Sequence, residues 1–160
     1  MAANDFLKIR SSRYKQGIFQ PTNPKKYIGD HRHIVYRSSW ELKFMAWCDT
    51  NPGVISWSSE ETVIPYKSPL DNRTHRYFID FKVKLNTRQG IKTALIEVKP
   101  DKQTRPPAQP KKKVTKSYAK EVVTYAVNEA KWDAARGFCK KNGYEFMILN
   151  EYDLGIKKKT

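Results

Sequence analysis

Acidic residues are scarce in this chain: 16 Asp and Glu stand against 31 Lys and Arg in 160 residues, a net charge of +15. So large an excess in so small a protein favours a polyanionic partner, usually nucleic acid. Cysteine is scarcer still. The two cysteines, Cys48 and Cys139, cannot build a disulfide scaffold, and both sit in apolar helical patterns as expected buried free thiols. No Cys-x-x-Cys or Cys/His cluster offers a structural zinc site. No apolar run approaches the roughly 20 residues that cross a bilayer, and Met1 to Lys8 lacks the apolar stretch of a signal peptide. The lysines do not line an amphipathic helix with a bulky apolar face, so no membrane partner is expected. The expectation is a soluble, intracellular, single-domain protein with a real core.

Present instead is a clear succession of elements. Residues 1–35 are rich in Arg, Lys, Asn, Pro and Gly, and read as a basic arm that packs on the core or stays partly disordered until it meets a partner. Ile34-Val35-Tyr36 reads as a short strand. Ser38-Ser39-Trp40-Glu41 has the form of a capping box. Behind it Trp40, Phe44 and Trp47, widened by Leu42, Met45 and Cys48, predict a helix ended by Asn51-Pro52-Gly53. Residues 54–58 and 62–66 read as short strands, and 77–85 as one strand with Tyr77, Ile79, Phe81, Val83 and Leu85 on one face and Asp80 on the other. A tight turn at 86–90 pairs it with a strand at 92–99. There Ala94, Leu95, Ile96 and Val98 are apolar on both faces, which predicts a central, covered strand. Residues 100–116 form a basic Pro- and Lys-rich loop. A helix follows over about 117–141, stopped by Asn142-Gly143, then a strand over 144–150 and a basic tail at 152–160. Taken together, this is an α/β layered domain over 36–151 with a mixed sheet.

Within the central hairpin, Glu97 and Lys99 share a strand face, and Asp80 lies on the neighbouring strand. Carboxylates converging in a covered sheet repel each other unless protonated or bridged by a cation. Their hard oxygens suit Mg²⁺ or Mn²⁺. Such an ion, with a lysine beside it, has the parts for phosphodiester hydrolysis: an activated water and charge for the crowded phosphate. Taken singly, each charge has a plainer explanation. Glu-x-Lys recurs on exposed strand faces, Asp80 could face solvent, and the capping box by itself accounts for Glu41.

Tyr36-Arg37-Ser38-Ser39-Trp40-Glu41, the strand Tyr77-Phe78-Ile79-Asp80-Phe81 and Glu97-Val98-Lys99-Pro100 resemble the PD-(D/E)xK nuclease superfamily. More narrowly, the chain resembles the group holding the N-terminal nuclease domain of the Tn7-type transposition endonuclease and the head completion nucleases of T4-like tailed phages. Asn128 to Trp132, Phe146 to Glu151 and Tyr14-Lys15-Gln16-Gly17 share in that resemblance, which spans about residues 13–151.

The resemblance implies a restriction-endonuclease-like mixed sheet of about four strands flanked by helices. Asp80 and Glu97 would be the metal-binding pair, Glu41 a further metal-site carboxylate and Lys99 the motif lysine, all four catalytic. The motif's usual proline before the Asp is Ile79 here. The implied activity is Mg²⁺-dependent hydrolysis of double-stranded or branched DNA, with Mn²⁺ as substitute, leaving 5′-phosphate and 3′-hydroxyl ends. The implied setting is completion of a phage head beside portal or packaging components, in the cytoplasm of the infected cell or on the virion. The alternatives are a non-catalytic DNA-binding head protein with a vestigial site, and a transposition or repair nuclease.

Further candidates for DNA contact are Lys102, Gln103, Lys111, Lys112, Lys113 and Lys131. A solvated loop would explain Lys102 and Gln103 equally well, whereas Lys111, Lys112 and Lys113 are expected on phosphates, although a charge run is often only a solvated stretch. His31, His33 and His75 fit no common metal spacing, and the four tryptophans are expected in the core rather than as stacking platforms.

Overall fold

Four consecutive buried residues, Ala94 to Glu97, put the strand Gly90–Val98 at the centre of the molecule. The computed structural model describes residues 16–160; Tyr14-Lys15 and the start of the basic arm lie outside the described residues. In chain order the strands are β1 (Gly17–Phe19), β2 (Ile34–Tyr36), β3 (Val54–Ser59), β4 (Val63–Lys67), β5 (Thr74–Phe78), β6 (Phe81–Thr87), β7 (Gly90–Val98) and β8 (Glu145–Leu149). The helices are α1 (Ser39–Thr50) and α2 (Lys116–Asn142), and short 3-10 turns occupy Pro24–Lys26 and Asp101–Thr104. The main sheet has the order β3-β6-β7-β8, while β1-β2 and β4-β5 form separate two-stranded sheets. β6 runs antiparallel to β7, and β8 runs parallel to it after the α2 crossover. This is the mixed four-stranded, helix-flanked sheet that the PD-(D/E)xK resemblance implies.

The two faces of β7 feed different cores. Ala94 and Ile96 join Phe81, Val83 and Trp57 against Leu42, Phe44, Met45 and Cys48 of α1. Leu95 joins Ala135 and Cys139 of α2, with Ile64, Tyr66, Tyr77 and Ile79. Period-2 alternation on a strand covered by a helix on each side gives this division. Local signals set the ends of the elements. The Ser38 hydroxyl accepts from the Glu41 N–H to cap α1, and Gly143 ends α2 at φ +70, a left-handed conformation that favours glycine. At the β6-β7 turn, Thr87 pairs with Gly90, whose φ of +107 sets the same requirement. Phe19, Tyr27 and Ile34 are buried in the α1 core. Asp49, itself buried, fastens that stretch by accepting from the Thr22 and Asn23 N–H groups at 2.8 and 2.9 Å.

Two expectations need correcting. The strand expected over 77–85 is broken at Ile79 and Asp80. Tyr77 and Ile79 belong to the α2 core and Phe81 and Val83 to the α1 core, so the inward series holds but serves two cores. The break has a local cause. Asp80 Oδ2 accepts the Val98 N–H at 2.8 Å, so a side chain takes a donor that a continuous ladder would use. The second correction concerns the tryptophans. Trp57 and Trp132 are core, but Trp47 is 43% exposed and stacks on Phe44, and Trp40 is half-buried. At 100° per residue the buried stripe of α1 centres between Glu41 and Met45, which leaves Trp40 and Trp47 on its flank.

Candidate active site

The antiparallel register of β6 and β7 pairs Phe81 with Ile96 and Lys82 with Leu95. One step further along the same ladder, Asp80 lies opposite Glu97, so the break puts one carboxylate across from the other. Glu97 is 6% exposed. The Tyr77 hydroxyl donates to its Oε2 at 2.5 Å, and Lys99 Nζ stands 3.4 Å from its Oε1. Lys99 follows at the next same-face position, where β7 gives way to the turn Asp101–Thr104. Glu41 enters from the other face of the sheet. It lies on the buried stripe of α1 at its first turn, and its Oε2 accepts the Arg37 N–H at 2.8 Å. The capping box thus closes one residue upstream of its usual partner, the N-cap N–H, and fixes the carboxylate's direction.

These groups act on one another electrostatically. Burial, then the charge of Glu97, pushes the Asp80 carboxyl well above the usual range. The Val98 N–H works against that shift, Glu41 adds to it and Lys99 opposes it. The Glu41 carboxyl is also raised, first by burial, with Glu60 and Glu97 contributing after the opposing Arg37 N–H. Burial raises the Tyr77 phenol, and the adjacent Glu97 charge raises it further, so Tyr77 stays a hydrogen-bond donor.

Sequence reasoning missed several supports of this cluster. Tyr77 passed as an apolar member of the inward series, although a buried phenol always needs an acceptor. Arg37 and Glu60 form a bidentate pair at 3.1 and 3.2 Å, and Glu60 holds a left-handed φ of 54 between β3 and β4. Its N–H donates to the Asp80 carbonyl at 3.1 Å, which fixes the break from behind. Nothing in the local sequence signals that contact. The Glu151 carboxylate, buried, accepts the Asp101 N–H at 2.8 Å and anchors the turn after Lys99.

The expected DNA-contacting residues are dispersed. Lys102 and Gln103 are exposed on the turn after β7, and Lys111, Lys112 and Lys113 are exposed on the loop. Lys131 points inward, with its Nζ 5.7 and 5.5 Å from the ring centres of Tyr66 and Tyr77, a cation–π position that places it behind the Glu97 contact. Two of the three histidines meet carboxylates at the surface, His33 at Asp30 and His75 at Asp71.

Among the described residues no group of three or more His, Cys, Asp or Glu side chains closes around one point. The donor chemistry still fits a hard divalent ion. Asp80 and Glu97 face each other, all donors are oxygen, and each carboxylate has only one oxygen tied by a neutral donor, Oδ2 to Val98 and Oε2 to Tyr77. Mg²⁺ is commonly held by one or two carboxylates, with water and phosphate oxygens completing its shell.

A family profile described as TnsA-like endonuclease N terminal matches residues 51–151, a span that includes Asp80, Glu97 and Lys99. The head completion nuclease of Enterobacteria phage T4 is 41% identical over 138 residues, 84% of this chain and 90% of that protein. No solved structure matches.

Proposed function

The chain belongs to the TnsA-like endonuclease N-terminal family, and from that premise we propose that it hydrolyses DNA phosphodiester bonds with Mg²⁺, acting on phage DNA during head completion. The carrying observation is Asp80 opposite Glu97 at the end of the β6-β7 ladder, with Lys99 Nζ 3.4 Å from Glu97. The net charge of +15 supplies affinity for a polyanion, though it carries no chemistry. The relative's name supports the head-completion setting, and with it the cytoplasm of an infected cell as the place of action.

Asp80 and Glu97 would hold the ion, with Glu41 a further carboxylate whose charge acts on Asp80. When bound, the ion would supply an activated water and neutralise charge on the phosphate. The chain's own residues account for the rest. Lys99 is a cation at the mouth of the site, placed to orient the attacking water or to meet the charge that grows on the phosphate oxygens. Tyr77 holds Glu97 in one rotamer, and Val98 does the same for Asp80, so neither carboxylate must reorganise during the reaction.

Supercoiled plasmid should be nicked by the protein with Mg²⁺ or Mn²⁺ and left intact with EDTA. Plasmid, linear duplex and branched DNA that all stay intact with both ions would instead leave a DNA-binding head protein with a vestigial site. Tyr77→Phe tests the support. Loss of the hydroxyl should lower the cutting rate about 10–100-fold and raise the Mg²⁺ concentration for half-maximal rate. A normal metal titration would reduce Tyr77 to a core residue.

A further inference from the structure

Beyond the carboxylates, at the end of β7, lies a recess that the proposed chemistry does not use. No residue of α2 before Asn128 is buried, so the helix's first turns stand clear of the core. Between them and the chain leaving β7 is a space of about 560 Å³, within the range of small-ligand pockets. It is not a plain phosphate groove. Pro106, Pro107 and Tyr125 give it flat apolar walls, and the amides of Gln103 and Asn128 give it polar ends. Lys102, Lys120 and Arg105, the last already paired with Asp101, put three cations at the site against the single lining acid Glu121.

Asn128 is the informative residue. It is 8% exposed, on the same stripe of α2 as Trp132 and Ala135, and its amide takes no hydrogen bond from or to any described residue. The amide opens into the recess, since among the described residues only the Trp57 and Trp132 indole nitrogens are buried polar atoms without a partner, and asparagine is a poor helix former. That cost has a reason if the amide meets a ligand. The residue also links the recess to the carboxylates. One turn further along α2, Lys131 lies over the ring of Tyr77, whose hydroxyl holds Glu97. On the loop side, Gln103 comes four residues after Lys99, on the turn anchored by Glu151.

We propose that this recess takes the base of an unpaired nucleotide next to the phosphate that is cut, so branched or frayed DNA is bound in preference to continuous duplex. The inference rests on the nuclease reading above and narrows its substrate class. A nucleotide matches each wall: the base faces suit Tyr125 and the prolines, the base edge suits two amides that both donate and accept, and the flanking phosphates suit the cations. A duplex backbone has no flat apolar surface to fill such a space, and a paired base cannot leave the stack to reach it without cost. An acidic peptide would satisfy the cations but leave the amide ends without a planar partner.

The test compares two forked DNAs of equal charge, one with a normal nucleotide unpaired at the fork and one with an abasic site there. Binding is read by fluorescence anisotropy in EDTA. The wild-type protein should bind the normal fork on the order of tenfold more tightly. In Tyr125→Ala, a partly exposed position, the ratio should fall to about one. Equal wild-type binding of the two forks, or an unchanged ratio in Tyr125→Ala, would overturn the inference. Plasmid nicking separates this from the underlying reading. Nicking without discrimination sinks the recess alone, and discrimination without nicking sinks the enzyme reading alone.

Discussion

Plasmid incubated with Mg²⁺ and the Asp80→Asn or Glu97→Gln variant should stay supercoiled, at a cutting rate about 10³-fold or more below the wild-type protein. Such a loss corresponds to about 4 kcal/mol of transition-state stabilisation. Both exchanges remove a charge and keep the local hydrogen bonds. Asn at position 80 still offers an oxygen to the Val98 N–H, and Gln at 97 still accepts from the Tyr77 hydroxyl. Loss of cutting with an unchanged circular dichroism spectrum therefore reports chemistry and not unfolding. Lys99→Ala should fall in the same range, because the only cation within 4 Å of Glu97 among the described residues is then gone. Cutting by Asp80→Asn within tenfold of wild type would remove Asp80 from the site.

The same exchange at Asp80 should have the opposite effect on stability. Burial and the facing Glu97 raise the Asp80 carboxyl in the folded protein. A carboxyl with a folded pKa above its unfolded value costs stability wherever both forms are ionised; that cost shrinks as pH falls below the folded value and is gone below the unfolded one. In EDTA, Asp80→Asn should therefore melt above the wild-type protein at alkaline pH, and the gap should close as the solution is acidified. Metal should reverse the order. Mn²⁺ at a hundredfold excess over its Kd adds about 2.7 kcal/mol to the wild type, or about 5–10 °C for a chain of this size, and little to the variant. A variant that melts below wild type in EDTA at pH 8, or gains equally from Mn²⁺, would argue against converging carboxylates at this position.

Much of the fold is legible in the residues because its signals are local. The Ser38 cap, the Gly143 stop and the Gly90 turn each follow from one residue's conformational preference. The two-faced apolarity of Ala94, Leu95, Ile96 and Val98 marks a central strand. The misjudged parts depend on contacts distant in sequence. Nothing near Ile79 announces that the strand changes sheets there, since the alternation of Tyr77, Ile79, Phe81 and Val83 stays regular while the core it faces changes. Trp47 has the composition of a core residue and the angular position of a flank, and only the docking of α1 fixes which counts.

The candidate site divides along the same line. By itself the sequence marked the candidates for the chemistry: an Asp, a Glu-x-Lys on an apolar strand and a Glu at a helix start, readable as types and spacings. It could not place Asp80 opposite Glu97, because that depends on the register of two strands and on a break fixed by the Val98 and Glu60 N–H groups. Nor could it give Glu97 its tyrosine, set Glu41 inward from the far face of the sheet, or leave the Asn128 amide unpaired beside a recess. Those are tertiary decisions. The hydrogen-bond partners of Asp80 and Glu97 come from residues eighteen or more positions away, and no local preference encodes them.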